Sequence, residues 1–369
     1  MAIKAFTVPG SDDQSHKGDV ALGSDPKPHP RAAKDAEPVK TIMKDPEDEA
    51  RQRFQDYISN KDAYTPITNG CLIPGSRVPF SVYSLQENSL VTVCSGSLMS
   101  PGVISKDMTQ DSGHLLIEAT HLQKYAGYLS QVMEKYDPSS SIGMAVVHEK
   151  SKIVMKDVFE GALDDEKIKA VTETANDMVE GILMRDEVLN ELLTIKRHDY
   201  QNYVHSVNVA VLSLSLGKNL GLNKETLQYL GIGAFLHDIG KREVPKEILG
   251  KIGLLTEAEY KVYKRHVIEG VKMLESTWKI PTPSIAAVSQ HHERLNGTGY
   301  PNAISDKQIE IFGRIMSIAD CFDNLTSPRP NKAAMMPFDA VKVLADEKGY
   351  FDQQILMTFI KLLGSRFSG

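Results

Sequence analysis

Between positions 205 and 292 five histidines, His205, His237, His266, His291 and His292, stand inside or beside apolar helical stretches, with Asp238 and Asp320 in the same setting. Any fold that buries those stretches must also take these ionisable side chains out of water. A single histidine so placed is more often a core residue with a hydrogen-bond partner than a ligand. Five imidazoles and two carboxylates together are costly to bury unless they converge on a cation. The chain is therefore constrained to a helical arrangement in which distant segments meet at a metal site.

The local spacings agree with such a site. His237 and Asp238 are adjacent in GAFLHDIGK, and Lys241 follows His237 by four residues, so an α-helical turn brings its ammonium back to the same opening. His291 and His292 are neighbours in QHHERLNGTGYP. On a helix two neighbours diverge by about 100°, which suits them to different metals, or to one metal and a substrate. Asp320 lies in IMSIADCF with apolar residues on nearly every side. In the loop LNGTGYP, Gly297 and Gly299 permit backbone conformations closed to other residues and Pro301 fixes the chain, which fits either a shaped loop beside the histidines or a plain helix-ending turn. Imidazole and carboxylate donors without a thiolate cluster suit iron, manganese, zinc or nickel alike.

The rest of the chain divides by texture. Residues 1–55 are rich in Pro, Asp, Lys, Ser and Gly and read as a flexible tail. Residues 56–150 read as a small α+β domain of regulatory or sensor type: VPFSVYSL and NSLVTVC alternate like half-buried strands, HLLIEA is a short apolar run, and ATHLQKYAGYLSQVMEKY has helical spacing. Residues 151–196 read as a helical linker of one long helix or a pair, and its stretch 156–196 is either an amphipathic element packed on the next domain or a homodimer seam that relays signals. Residues 197–369 read as an all-α domain, with Thr256 and Glu259 in capping-box spacing. One segment there, VNVAVLSLSLG at 207–217, alternates with period two, and only its surroundings make it a helix.

The bulk properties narrow the partners. A formal net charge of −6 and a pI near 6.0 exert no general pull on nucleic-acid polymers, so a phosphate-bearing ligand must be held by a local set of metals or cations. Cys71, Cys94 and Cys321 are odd in number and far apart, as expected of free thiols in a reducing cytoplasm. The opening MAIKAFTVPGSDDQSHKGDV has no apolar core of signal-peptide length, and no membrane insertion is expected.

HSVNVA, HDIGKREVP, KRHVIEG, HHERLNGTGYP and IADCFDNLTSPRPNK stand in an order and spacing that resemble the HD superfamily and, more closely, its HD-GYP branch of cyclic di-GMP phosphodiesterases, over residues 199–363. The resemblance implies an HD-type helical bundle with His205, His237, Asp238, His266, His291, His292 and Asp320 as metal ligands, Asp238 bridging two ions. It favours iron, with manganese second. It also implies that Lys241 contacts the scissile phosphate and that Arg329 and Lys332 hold the phosphates or guanine of cyclic di-GMP, with Gly299 and Tyr300 at the substrate. Gln201 stands where some three-metal members carry a glutamate, so a dinuclear site is expected and a third ion is not. Asn296, Asn324 and Asn331 depart from the family's usual residues, a difference expected to bear on substrate fit more than on metal binding.

The implied reaction is hydrolysis of cyclic di-GMP to pGpG, with GMP as a further product, by a hydroxide bridging two metals that lower the pKa of water from about 15.7 towards 7. Two rival readings remain: a catalytically silent cyclic di-GMP receptor signalling to protein partners through the N-terminal domain or the helical linker, and a phosphohydrolase of another cyclic dinucleotide or nucleotide. The N-terminal domain carries no receiver, haem or flavin motif that would name its input.

Overall fold

The computed structural model, which describes residues 45–100, 114–185, 202–277, 279–328 and 333–364, has two main hydrophobic cores that share one helix. Helix α1 (Pro46–Ser59) starts at Asp45, whose carboxylate accepts the amide of Glu47 at 3.0 Å, and Glu47, Asp48 and Glu49 sit in its first turn, where the helix dipole favours negative charge. It occupies positions 46–55, which the composition suggested as flexible chain. Its apolar side chains are few, but Phe54 and Tyr57 pack beside Tyr83, Leu90 and Leu116, enough to seat the helix on the sheet.

Strands β1 (Tyr64–Ile67), β2 (Ser81–Gln86), β3 (Ser89–Ser95) and β4 (His114–Glu118) form an antiparallel sheet in the order β1-β4-β2-β3. Side chains alternate between its faces: Tyr83, Leu90 and Leu116 turn to α1, while Val82, Cys94, Leu115 and Ile117 join the core formed with helix α2 (Leu122–Met133).

Helix α3 (Ser141–Glu160) is capped by Ser140, whose hydroxyl accepts the amide of Gly143 at 3.0 Å. It gives Ala145 and Val146 to the sheet core and Met144, Val147, Met155 and Val158 to the helical core. Helix α4 (Asp165–Met184), capped by Asp164, packs on it. The linker up to residue 185 is thus a pair of helices, and its remainder lies outside the described residues.

The helical core centres on α5 (Asn202–Asn219), the segment with the misleading alternation. Val207, Val209, Ala210, Val211, Leu212, Leu214 and Leu216 are all buried, and so are Ser206, Asn208, Ser213 and Ser215, so the helix has no exposed polar face for a 3.6-residue period to reveal. Around it lie α6 (Lys224–Leu236), α8 (Glu257–Glu275), α9 (Thr282–Gln290), α10 (Ile311–Thr326), α11 (Pro337–Asp346) and α12 (Gln353–Gly364), with a short α7 (Lys246–Leu249) before α8. The Thr256–Glu259 capping box forms as its spacing implied. Gly233 in α6 faces the Ala287 side chain and the Ser284 carbonyl with no room for a Cβ, so α6 and α9 pack backbone to backbone. The architecture is the expected one, mainly helical with a small α+β part. Among the described residues no helix is long and apolar enough to cross a membrane.

Candidate metal centre

Each histidine of the cluster is placed by the end or inner face of a helix. His205 lies on α5 and His266 on α8, whereas His237 and His291 occupy the positions just after α6 and α9. Three rings are aimed by the carbonyl one turn behind: Nδ1 of His237, His266 and His291 meets the oxygens of Ala234, Tyr263 and Val288 at 2.8, 2.6 and 2.7 Å. With Nδ1–H donating outward, Nε2 keeps its lone pair and points inward, the arrangement a metal ligand requires. His205 is aimed by a carboxylate instead, with Nδ1 2.7 Å from Asp323 Oδ2.

Asp238 stands in the middle. Its Oδ1 lies 3.5 Å from His266 Nε2 and 3.8 Å from His291 Nε2, and its Oδ2 lies 3.5 Å from His205 Nε2 and 3.3 Å from His237 Nε2. Among the described residues two groups of donors arise: Asp238, His266, His291 and His292, and His205, His237 and Asp238, in each of which the ligand atoms lie within 4.8 Å of one another. Asp320 closes the second group, 3.0 Å from His205 Nε2 and 3.8 Å from His237 Nε2, and reaches towards the first with His292 Nδ1 at 3.7 Å. All seven residues named from the sequence therefore meet at one place.

The donor set fits divalent cations. Nε2 of His266, His291 and His292 and Oδ1 of Asp238 are buried without a hydrogen-bond partner among the described residues. Buried lone pairs left this way cost about 1–3 kcal/mol each, and a cation at the cluster satisfies them together. Burial lowers the pKa of His266 to about 4 and of His291 to about 3, and holds His292 well below its ordinary range, so these rings are neutral. Burial alone would raise Asp238 and Asp320, but Lys241 and His237 beside the first, and the hydrogen-bonded His205 beside the second, hold both carboxyls well below their usual range. Burial would likewise depress His205, yet its hydrogen bonds to Asp320 and Asp323 keep its pKa near 9, so a metal taken up there displaces a proton.

Two local geometries differ from the spacings. The chain after His237 is a 3-10 turn, Ile239–Glu243, not an α-helical one. Its tighter pitch returns Lys241 to Asp238, with which it forms a buried ion pair, and not to His237. Similarly α9 ends at Gln290, so the rings of His291 and His292 converge to 4.1 Å between centroids and share one donor group.

The glycine-rich loop folds against the same cluster. Gly297 takes φ +77, but Gly299 does not need a left-handed backbone; a Cβ there would run into Glu293 Cα, Arg294 N and the His292 carbonyl. That close approach stacks Tyr300 on His292, with 4.5 Å between ring centroids and 28° between planes. Glu293, itself buried, accepts the amide of Asn302 at 2.7 Å and ties down the far side of the loop. Asn296 acts locally, accepting from Thr298 N and Oγ1 at 3.1 and 2.7 Å. Arg329, Asn331, Lys332 and Gln201 lie outside the described residues.

Asn324 has a contact that the sequence did not show. Its Nδ2 donates to Asp320 Oδ1 at 2.8 Å, so this departure from the family touches a candidate ligand directly. Asp323 and Glu293 were missed altogether. Asp323 was findable: it follows Asp320 by three residues in an apolar helical run, where a second buried acid needs a partner.

Comparison with known proteins agrees with this picture. Residues 182–355 match the sequence model of the HD domain. The cyclic di-GMP phosphodiesterase PA4108 of Pseudomonas aeruginosa is 34% identical over 197 residues, covering 52% of this chain and 48% of that protein. The 3'3'-cGAMP-specific phosphodiesterase 1 of Vibrio cholerae is 35% identical over 161 residues, covering 43% and 37% of the two chains. A cyclic di-GMP phosphodiesterase of Thermotoga maritima is 31% identical, covering 48% of each. The matches thus span about half or less of these curated relatives. Among solved structures, Bd1817, a HDG"Y"P protein from Bdellovibrio bacteriovorus, shares the fold with a TM-score of 0.63 at 21% identity, covering 82% of this chain and 99% of that one. Residues 182–355, which bring these histidines and aspartates together and include the Gly299-Tyr300-Pro301 tripeptide, are thus an HD-type domain by sequence match.

Proposed function

We propose that this protein is a metal-dependent phosphodiesterase that hydrolyses cyclic di-GMP to pGpG, with GMP as a further product. The observation that carries this reading is Asp238, whose two oxygens face two separate sets of imidazole nitrogens, as a carboxylate shared by two ions must. His205, His237 and Asp320 would hold one ion, and His266, His291 and His292 the other, with Asp238 between them. Iron is the first choice and manganese the second. Bound there, divalent ions supply an activated water and neutralise phosphate charge.

The chain's own residues do the rest. The backbone carbonyls behind three histidines fix their tautomers, Asp323 orients His205, and Asn324 restrains Asp320. Lys241 pairs with Asp238 at the edge of the cluster, where its ammonium would also meet a phosphodiester oxygen. Tyr300 and Gly299 shape the wall beside His292, and Arg329 and Lys332 complete the phosphate and guanine contacts.

The names of the relatives support a cyclic dinucleotide as substrate, and they keep a second substrate in play, because a 3'3'-cGAMP-specific enzyme matches at similar identity. The test is metal analysis of anaerobically purified protein coupled to product chromatography with each cyclic dinucleotide. About two transition-metal ions per chain and pGpG accumulating beyond one equivalent are expected. Unchanged ligand retained by fully metal-loaded protein would make the chain a receptor, and faster cleavage of 3'3'-cGAMP would reassign the substrate.

A further inference from the structure

Beside the cluster, α8 and the Tyr300 loop carry a set of aromatic rings that metal binding leaves unused. Tyr300, stacked on His292, meets Tyr260 edge to face with 6.3 Å between centroids and 80° between planes. Tyr260 in turn lies nearly parallel to Tyr263 at 6.4 Å and 12°, and Tyr263 tilts against His266 at 5.1 Å. Lys264 Nζ lies 4.9 Å from the centre of the Tyr260 ring and 5.6 Å from that of Tyr300, within cation–π reach of both.

The series leads outward from the buried ligands. His266 is fully buried, Tyr263 and Tyr300 are partly covered, and Tyr260 is 45% exposed. Tyr260, Tyr263 and Lys264 fall at helical steps of three and four, so one face of α8 presents all three. An exposed ring fixed by two others, beside a cation and next to a site for a phosphodiester, offers a preorganised flat surface to a flat group joined to that phosphate. Base-on-ring stacking needs a π face and tolerates any base, but gains most from a large one.

Resting on the phosphodiesterase reading above, we propose that Tyr260, braced by Tyr263 and Tyr300, is the wall on which one purine base of the cyclic dinucleotide stacks, with Lys264 supplying positive charge to the phosphate next to that base. Tyr260 then sets the preference for purine over pyrimidine cyclic dinucleotides. It acts on substrate binding and not on bond cleavage.

The experiment uses the full chain loaded with metal. Tyr260→Ala raises KM for cyclic di-GMP about tenfold with kcat changed by less than about twofold, and narrows the gap in KM between cyclic di-GMP and cyclic di-UMP. Tyr260→Phe keeps the wild-type KM, because the ring and not the hydroxyl does the stacking. A second readout does not depend on turnover. In a Trp278→Phe background, which removes the chain's single tryptophan, Tyr260→Trp places an emitter at the wall whose fluorescence cyclic di-GMP quenches and ribose 5-phosphate does not. Hydrolysis with the KM of Tyr260→Ala within about twofold of wild type overturns the wall and leaves the phosphodiesterase reading intact. Quenching without hydrolysis keeps the wall and overturns that reading, and the absence of both overturns the two together.

Discussion

Asp320 Oδ1 is shared between His205 Nε2 at 3.0 Å and Asn324 Nδ2 at 2.8 Å, so the chain restrains this candidate ligand through a residue that its position in the motif did not mark as its partner. Partners of ligands commonly govern metal affinity by a factor of about 10–100, and Asn324→Ala is expected to weaken metal binding about tenfold in competition with a chelator. An unchanged affinity would leave Asn324 with no part in holding Asp320. Lys241 makes the opposite case. It pairs with Asp238 but offers no lone pair while charged, so on the proposed activity Lys241→Ala is expected to slow cyclic di-GMP hydrolysis at least about 100-fold while metal content stays at the wild-type level. Metal lost from that variant would make the lysine a structural residue. At this scale the sequence was legible where residue type and setting clash, as with imidazoles and carboxylates in apolar runs. The same clash marks Asp323, but the sequence was less legible for Asn324 and Glu293, whose work is set by partners distant in sequence or by a rotamer.

The elements meet at the cluster through close backbone contacts, and these carry a signed pair of predictions. Gly240, in the turn that brings Lys241 to Asp238, lies against the carbonyl of His266 and the amide of Gly270 with no space for a methyl group. Gly240→Ala must push the turn off α8 and is expected to cost about 1–3 kcal/mol in urea unfolding. Gly127 sits inside α2, and a Cβ there meets nothing within 4 Å, so Gly127→Ala is expected to stabilise by about 0.5–1 kcal/mol. Equal effects of the two changes would refute the close approach at Gly240. The helices and strands themselves were largely readable from period and caps. The exceptions share a cause: α1 is specified by its cap more than by apolar content, and α5 is buried on nearly every side, polar residues included, so in neither does hydrophobic period report the fold. The meeting of His291 and His292 was unreadable because it depends on α9 ending one residue before them.

In the whole molecule α3 joins the sheet core to the helical core, and His148 is buried on it beside Asn208 of α5. The groups that bear on it are known. Burial and the neighbouring ammonium of Lys152 lower its pKa to about 4, while Glu149 and Asn208 of α5 pull weakly the other way. The folded pKa lies below the unfolded value of about 6.5, so the unfolded chain takes up the proton first as pH falls. The stability tied to the neutral ring is complete above pH 6.5 and is lost between there and pH 4, about 2 kcal/mol of it by pH 5. His266, His291 and His292 shift in the same direction and add their own acid sensitivity, which is why a difference between proteins is the informative quantity. His148→Leu removes a buried polar ring from an apolar junction but also its interaction with buried Asn208, so its stability at pH 7 should stay within about 1 kcal/mol of the wild type. Between pH 7 and pH 5 it should lose about 2 kcal/mol less in urea unfolding than the wild type. Parallel losses in the two proteins over that interval would show that the ring at the joint between the cores does not titrate with folding.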